Sequence, residues 1–226
     1  MGVALVVLAA CADRAGDKAP EKDARPEVTP SSRPVPAAGE RPAILIVGTS
    51  LTAGYGLDPD SAYPAVLQRL VDSAGLGFEI VNAGVSGESS AGAVRRIDWV
   101  LRAEPAVLVI ETGANDMLRG QDPDSIRANI QAMIDRAREK SPGTTIVLAA
   151  MEAMPNLGAD YARRFRAIYP ALARTNGVPL IPFILDSVAG IDSLNQDDGI
   201  HPNPAGARIV AGNVWRSLEP LLVRRP

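Results

Sequence analysis

Short apolar runs that alternate with amphipathic helical stretches predict an α/β domain, a three-layer α/β/α sandwich around a parallel sheet of about five strands. Three observations carry the prediction. The apolar runs are continuous rather than alternating, as in strands covered on both faces. A stretch with 3.6-residue periodicity separates one run from the next. No hairpin dipeptide joins two runs directly.

In chain order, "AILIV" (43–47) is the first strand, and "YPAVLQRLVDSA" (63–74) follows with Val66, Leu67, Leu70 and Val71 on one helical face. "FEIVN" (78–82) is the second strand. Residues 91–103 form a helix that turns Val94, Ile97, Val100 and Leu101 inward, and "AVLVIE" (106–111) is the third strand. Asp122-Pro123 is a helix start, a capping acid followed by proline at the first helical position. The helix runs to Lys140 with Ile126, Ile130, Met133, Ile134 and Ala137 on its apolar face. "TTIVLAAM" (144–151) is the fourth strand. A helix from Asp160 to Thr175 stops at Asn176-Gly177, and "VPLIPF" (178–183) is the fifth strand. A helix from Pro204 to Leu222 closes the chain.

The N-terminal part reads differently. Residues 1–11, "MGVALVVLAAC", are apolar but too short to span a bilayer, and suit a signal-type segment. Leu8-Ala9-Ala10-Cys11 resembles a bacterial lipobox, which makes Cys11 the expected site of lipidation. Residues 12–41 are rich in proline, alanine and charge, and read as a disordered tether with a reach of roughly 30 Å. Residues 42–226 form the folded domain. The expected location is the bacterial cell envelope, as a periplasm-facing lipoprotein on a Cys11 anchor, or otherwise a periplasmic or secreted protein.

Composition narrows the function classes. Of 226 residues 46% are hydrophobic and 22% charged, ordinary for a globular protein, and the net charge of −3 leaves no basic footprint for nucleic acid. One cysteine and one histidine cannot build a zinc or iron–sulfur site, and no metal or cofactor is implied. No protein partner is implied either.

Ligands of open α/β sheets bind outside the carboxyl ends of the strands. "GTSLTAGYG", "NAGVSGES", "TGANDMLRG" and "DDGIHPN" all leave such ends, bringing Ser50, Gly87, Asn115, Asp198 and His201 to one rim. Ser50 stands at a strand-to-helix turn as a candidate nucleophile. His201, the sole imidazole, is the only histidine base available to it. Asp198, three residues earlier, is placed to orient the ring through Nδ1–H, leaving Nε2 for Ser50. Gly87 brings a backbone N–H near substrate with no Cβ intervening, and Asn115 offers a side-chain donor. Thr52 stands where a G-x-S-x-G elbow needs glycine, so that motif does not fit.

These four blocks resemble the SGNH (GDSL) hydrolases, above all their bacterial thioesterase, lysophospholipase and arylesterase branch. Gly48-Thr49-Ser50-Leu51, Gly87, Asn115 in "GAND" and the Asp198/His201 pair match the family's blocks in order, and the resemblance covers about residues 43–222. It implies a flavodoxin-like three-layer fold and serine ester hydrolysis through an acyl-enzyme. It further implies no cofactor, and an oxyanion hole from Ser50 N–H, Gly87 N–H and Asn115. The implied substrates are small acyl esters, lipid-derived esters or thioesters. An O-acetylesterase acting on carbohydrate, or a lipoprotein binding module without turnover, are the alternatives. Two positions depart from the pattern: Thr49 replaces the acid of G-D-S, and Ala114 stands where glycine commonly precedes the asparagine.

Overall fold

The computed structural model describes residues 1–2 and 41–224. The signal-type segment, Cys11 and the tether, apart from Met1, Gly2 and Arg41, lie outside the described residues. The chain divides into two units, Met1–Ser31 and Ser32–Pro226.

The second unit carries five parallel strands, β1 (Ala43–Gly48), β2 (Glu79–Gly84), β3 (Val107–Ile110), β4 (Thr145–Ala149) and β5 (Leu180–Ile181), in the order β2-β1-β3-β4-β5. Among the described residues, seven α-helices connect and close them: α1 (Ser50–Ala53), α2 (Tyr63–Ser73), α3 (Ser90–Val100), α4 (Ala114–Leu118), α5 (Pro123–Lys140), α6 (Ala159–Asn176) and α7 (Pro204–Val223). α2 packs on α7, while α5 packs on both α3 and α6. This division sets two helices on one face of the sheet and three on the other. Right-handed crossovers require it, because the chain winds one way from β1 to β2 and the other way from β2 to β3.

Burial follows strand position. β1 and β3 are buried along their whole length at the centre of the sheet, whereas the edge strand β2 is mostly half-exposed. The apolar stripe of α5 is complete, with Ile126, Ile130, Met133, Ile134 and Ala137 all fully buried. Each such Ile contributes on the order of 1.5–3 kcal/mol. Phe165 in "RRFR" faces the core, while the three arginines stay exposed.

The expected elements are present with shifted ends. β5 is two residues rather than six, because only Leu180 and Ile181 pair in register with β4. β2 runs on to Gly84, paired with Gly48 at the end of β1. Two short helices, α1 and α4, have too few residues to show a period, and each begins at a candidate site block. α6 and α7 also carry Pro170 and Pro220 within their span. Strand order reverses between β1 and β3, so the crevice outside their carboxyl ends is the topological switch point of the sheet.

Candidate active site

β1 leads directly into α1, making Ser50 the first residue of that helix. The step is too tight for a side chain before it: a Cβ on Gly48 would lie 2.0 Å from Thr52 Oγ1 and 2.6 Å from Glu111 Oε2. Gly84 is equally confined, since its Cβ would come within 2.3 Å of the Ala53 nitrogen. Asn82 fastens the far end of α1 by donating from Nδ2 to the Thr52 carbonyl at 2.8 Å.

Beneath Ser50 lies a buried polar cluster centred on Glu111, the residue after β3, which has no exposed surface. Its carboxylate accepts the Thr49 N–H at 2.8 Å, the Thr49 hydroxyl at 2.9 Å and the Thr52 hydroxyl at 2.8 Å. With the Thr52 proton so directed, Tyr63 donates its hydroxyl to Thr52 Oγ1 at 2.7 Å. Desolvation pushes Glu111 up to about 7, against the donors of Thr49 and Thr52, which work to hold it down. Burial, then the nearby Glu111, raises Tyr63 far above the ordinary phenol range, so the phenol keeps its proton.

The histidine arrives from the opposite direction, on a turn before α7. Asn195 and Pro202 form an isolated antiparallel bridge, and the Gln196 N–H donates to the His201 carbonyl at 2.7 Å. Within the turn Asp198 Oδ1 accepts the N–H groups of Ile200 and His201, both at 3.0 Å. Asp198 Oδ2 lies 2.6 Å from His201 Nδ1, and His201 Nε2 lies 2.9 Å from Ser50 Oγ. Partial burial would raise the Asp198 pKa. The hydrogen bonds from the His201 ring and from the His201 and Ile200 backbone override it and hold the carboxyl at about 2. An ionised Asp198 accepts Nδ1–H, which leaves Nε2 with its lone pair toward the Ser50 hydroxyl. The Tyr55 ring packs beside the imidazole, centroids 4.7 Å apart and tilted by 40°.

The other two candidate oxyanion groups, Gly87 and Asn115, follow β2 and β3. Asn115 lies in α4 rather than in an open loop, and donates from Nδ2 to the Glu88 carbonyl at 3.1 Å. An amide carries two N–H bonds, so one remains for a ligand. Gly87 has φ +76°, and conformation explains it better than crowding, for only Arg119 Nη2 would come within 4 Å of an added Cβ. Its carbonyl accepts from Arg119 Nη2 at 2.9 Å. Neither the Ser50 nor the Gly87 N–H has a partner among the described residues. The loop is held in place by Glu88, which Arg96 grips through Nε and Nη2 at 2.6–3.0 Å, and α4 is held by buried Asp116, which takes the Ser90 N–H and hydroxyl at 2.7 Å each.

All five rim residues named from the sequence therefore come to the switch point, with Ser50, His201 and Asp198 in one hydrogen-bonded chain. Sequence reasoning missed the residues that hold them: Glu111, Asn82, Asp116, Glu88 with Arg96, and Gln196. Only Glu111 had a visible signal, an acid ending a wholly apolar strand. A recess beside Ser50 and His201 is walled by Leu51, Tyr55, Leu57, Tyr63, Ala207 and Val210. Met151 is core, and Met154 is exposed.

The sequence matches the GDSL-like lipase/acylhydrolase family over residues 46–209. The chain belongs to that family. It is 38% identical to the esterase TesA of Pseudomonas aeruginosa over 79% of this chain and 89% of that protein. It is 33% identical to the thioesterase 1/protease 1/lysophospholipase L1 of Escherichia coli K12 over 79% of this chain and 84% of that protein. Among solved structures, the psychrotrophic esterase EstA of a Pseudoalteromonas species, inhibited by monoethylphosphonate, superposes with a TM-score of 0.76. That match has 30% identity and covers 80% of this chain and 99% of EstA. The doubly wound sheet is thus that of a GDSL-like acylhydrolase.

Proposed function

We infer that this chain is a serine ester hydrolase that works through an acyl-enzyme, with Ser50 as nucleophile, His201 as general base and acid, and Asp198 as the group that orients the ring. The observation that carries the assignment of roles is the 2.9 Å contact from His201 Nε2 to Ser50 Oγ, continued at 2.6 Å from Nδ1 to Asp198. Ester hydrolysis itself is the chemistry of the family and of the relatives named above.

Ser50 Oγ attacks the acyl carbonyl as its proton passes to His201 Nε2. The carbonyl oxygen becomes an oxyanion, held by the N–H groups of Ser50 and Gly87 and the second Asn115 N–H. As the tetrahedral species collapses, His201 returns its proton to the departing alkoxide or thiolate, leaving an ester on Ser50. Water, deprotonated by His201, attacks that ester, and collapse releases the carboxylic acid and restores the Ser50 hydroxyl.

The substrates are acyl esters of aryl or lipid-derived alcohols, together with acyl thioesters. Two of the relatives are named for arylester and for thioester and lysophospholipid cleavage. The envelope is the site of action, with Cys11 as the lipid anchor. Hydrolysis of p-nitrophenyl acyl esters across chain lengths, with Ser50→Ala as control, tests the assignment. Turnover surviving in Ser50→Ala overturns it, as does a phosphonate that inactivates the enzyme without labelling Ser50. A protein that folds yet turns over no acyl ester, acetylated glycans included, is the binding module instead. Fractionation of Cys11→Ser separates an anchored lipoprotein from one released to the periplasm.

A further inference from the structure

Ser50 and His201 are separated by 151 residues, so their 2.9 Å contact needs something to set it. One side chain hydrogen-bonds to both segments. Gln196 Nε2 donates to the Tyr55 carbonyl, just beyond α1, at 2.8 Å, and to the Pro202 carbonyl, next to His201, at 3.0 Å. The backbone of the same residue donates to the His201 carbonyl at 2.7 Å and accepts the Gly199 N–H at 2.9 Å. Both side-chain partners are acceptors, which fixes the amide with its nitrogen toward them. The fit is close on the serine side as well. Gly56 has φ +73°, and a Cβ there would stand 2.1 Å from Gln196 Oε1.

We propose that Gln196 is a positioning residue, a clamp that spans from the serine segment to the histidine turn and sets the separation of Ser50 Oγ and His201 Nε2. It touches neither reacting atom and acts only through the segments it joins. The proposal rests on the assignment of Ser50 and His201 made above. The physical need is specific. Apart from the His201–Ser50 contact itself and the Tyr55 ring packed beside the imidazole, the other hydrogen bonds of the histidine turn among the described residues are internal to it or lead to the neighbouring 188–195 segment or α7. The Asn195 and Asn203 side chains bond the carbonyls of Val188, Ile191, Ser193 and Asn195 and the N–H groups that start α7. These shape the turn but do not register it against α1. A displacement of about 1 Å between reacting groups can cost on the order of 10²-fold in rate.

Gln196→Met keeps the length and removes both donors. The expected result is a fall in kcat on the order of 10²-fold with KM within about twofold, since a mispositioned base harms the chemical step and not ground-state binding. The single histidine of the chain supplies an independent readout, because its ring N–H protons can be assigned by NMR without ambiguity. In the native enzyme the Nδ1–H facing Asp198 should give one protected downfield signal. In Gln196→Met that signal should broaden by exchange at an unchanged melting temperature. Gly56→Ala, made in parallel, presses on Gln196 from the other side, and the Gly56→Ala/Gln196→Met double variant should lose no more kcat than the more impaired single variant, because both changes break the same tie. Native kcat and a native histidine signal in Gln196→Met would overturn the clamp. So would a kcat loss that only tracks a lowered melting temperature while the signal stays sharp. Turnover surviving in Ser50→Ala would instead sink the assignment of roles, and the histidine signal would still judge the clamp.

Discussion

Two carboxylates serve this site from opposite sides, and their surroundings drive them in opposite directions. Glu111 lies under the serine segment with no exposed surface, and desolvation lifts it to about 7 although three donors face it. Asp198 sits in the histidine turn with its side chain 38% exposed, and its donors hold it at about 2. Both groups accept several hydrogen bonds, so donor number does not separate them. Contact with water does: a carboxylate that keeps solvent on one side loses little by staying charged, and a wholly enclosed one loses more than neutral donors restore. Asp198 is therefore a fixed anion through the neutral range, while Glu111 changes charge within it. One supplies charge to the reaction, and the other supplies shape to the serine turn.

Breaking the charged side should have the largest effect. Asp198→Asn keeps the shape of the turn but presents an amide to Nδ1, favouring the tautomer that puts its proton on Nε2, toward Ser50. By comparison with the serine protease triad, kcat should fall on the order of 10⁴-fold. Steady-state hydrolysis of a p-nitrophenyl ester measures this, with melting temperature as the control. A loss below tenfold would mean that Asp198 does not set the tautomer.

Breaking the buried side should register in stability before chemistry. Glu111→Ala strands the Thr49 N–H in a dry cavity and leaves two hydroxyls to find new partners. Cavity and unpaired donor together should cost about 3–5 kcal/mol in denaturant unfolding. A cost under 1 kcal/mol would show that the cluster relaxes freely and does not hold the turn.

The charge on Glu111 can be read without removing it. Its pKa is about 7 in the fold against a reference of 4.5, so the folded state binds the extra proton between those values. Stability therefore rises as pH falls from about 7 toward 4.5, and the cost of burying the anion, on the order of 3 kcal/mol, is fully present above pH 7. Asp198 has the opposite sign: its contribution is present above the reference value of 3.8 and is lost as pH falls toward 2. Unfolding free energies from pH 4.5 to 8.5 should show the first slope, and Glu111→Gln should flatten it. A slope that survives in Glu111→Gln belongs to some other group.

The same contrast explains what could be read from the sequence. Ser50, Gly87, Asn115, Asp198 and His201 were legible because each stands in a loop at a strand's carboxyl end, where glycines and polar residues interrupt apolar periodicity. α5, which buries a continuous stripe, was legible to the residue at its start, and α3 and α6 to within one residue. α1 and α4 were not, for four or five residues carry no period and are stabilised by tertiary contacts, among them Asn82 to Thr52 and Asp116 to Ser90. Gln196 carried no local signal, since its partner at Tyr55 is 141 residues distant. The role of Glu111 depends on strand register, which sets the end of β3 beside the end of β1.

Thr49 gives the finest test of the comparison, because the family pattern has an acid at its position. Its hydroxyl donates to Glu111 at 2.9 Å while its N–H donates at 2.8 Å. An aspartate there would place a second carboxyl against the first, where two buried like charges cannot both ionise. The pair would hold one proton between them, and a protonated carboxyl can donate much as the threonine hydroxyl does. Thr49→Asp should accordingly leave ester turnover within about threefold of the native value at neutral pH, since the N–H tie and the backbone of the turn are untouched. Its mark should appear in the pH dependence of unfolding. Sharing raises the pKa of the second ionisation above that of Glu111 alone, so stability should fall further through the alkaline range than in the native chain. A folded Thr49→Asp enzyme without turnover would show that the serine turn needs the neutral hydroxyl itself, and that shape at this position does not survive an added charge.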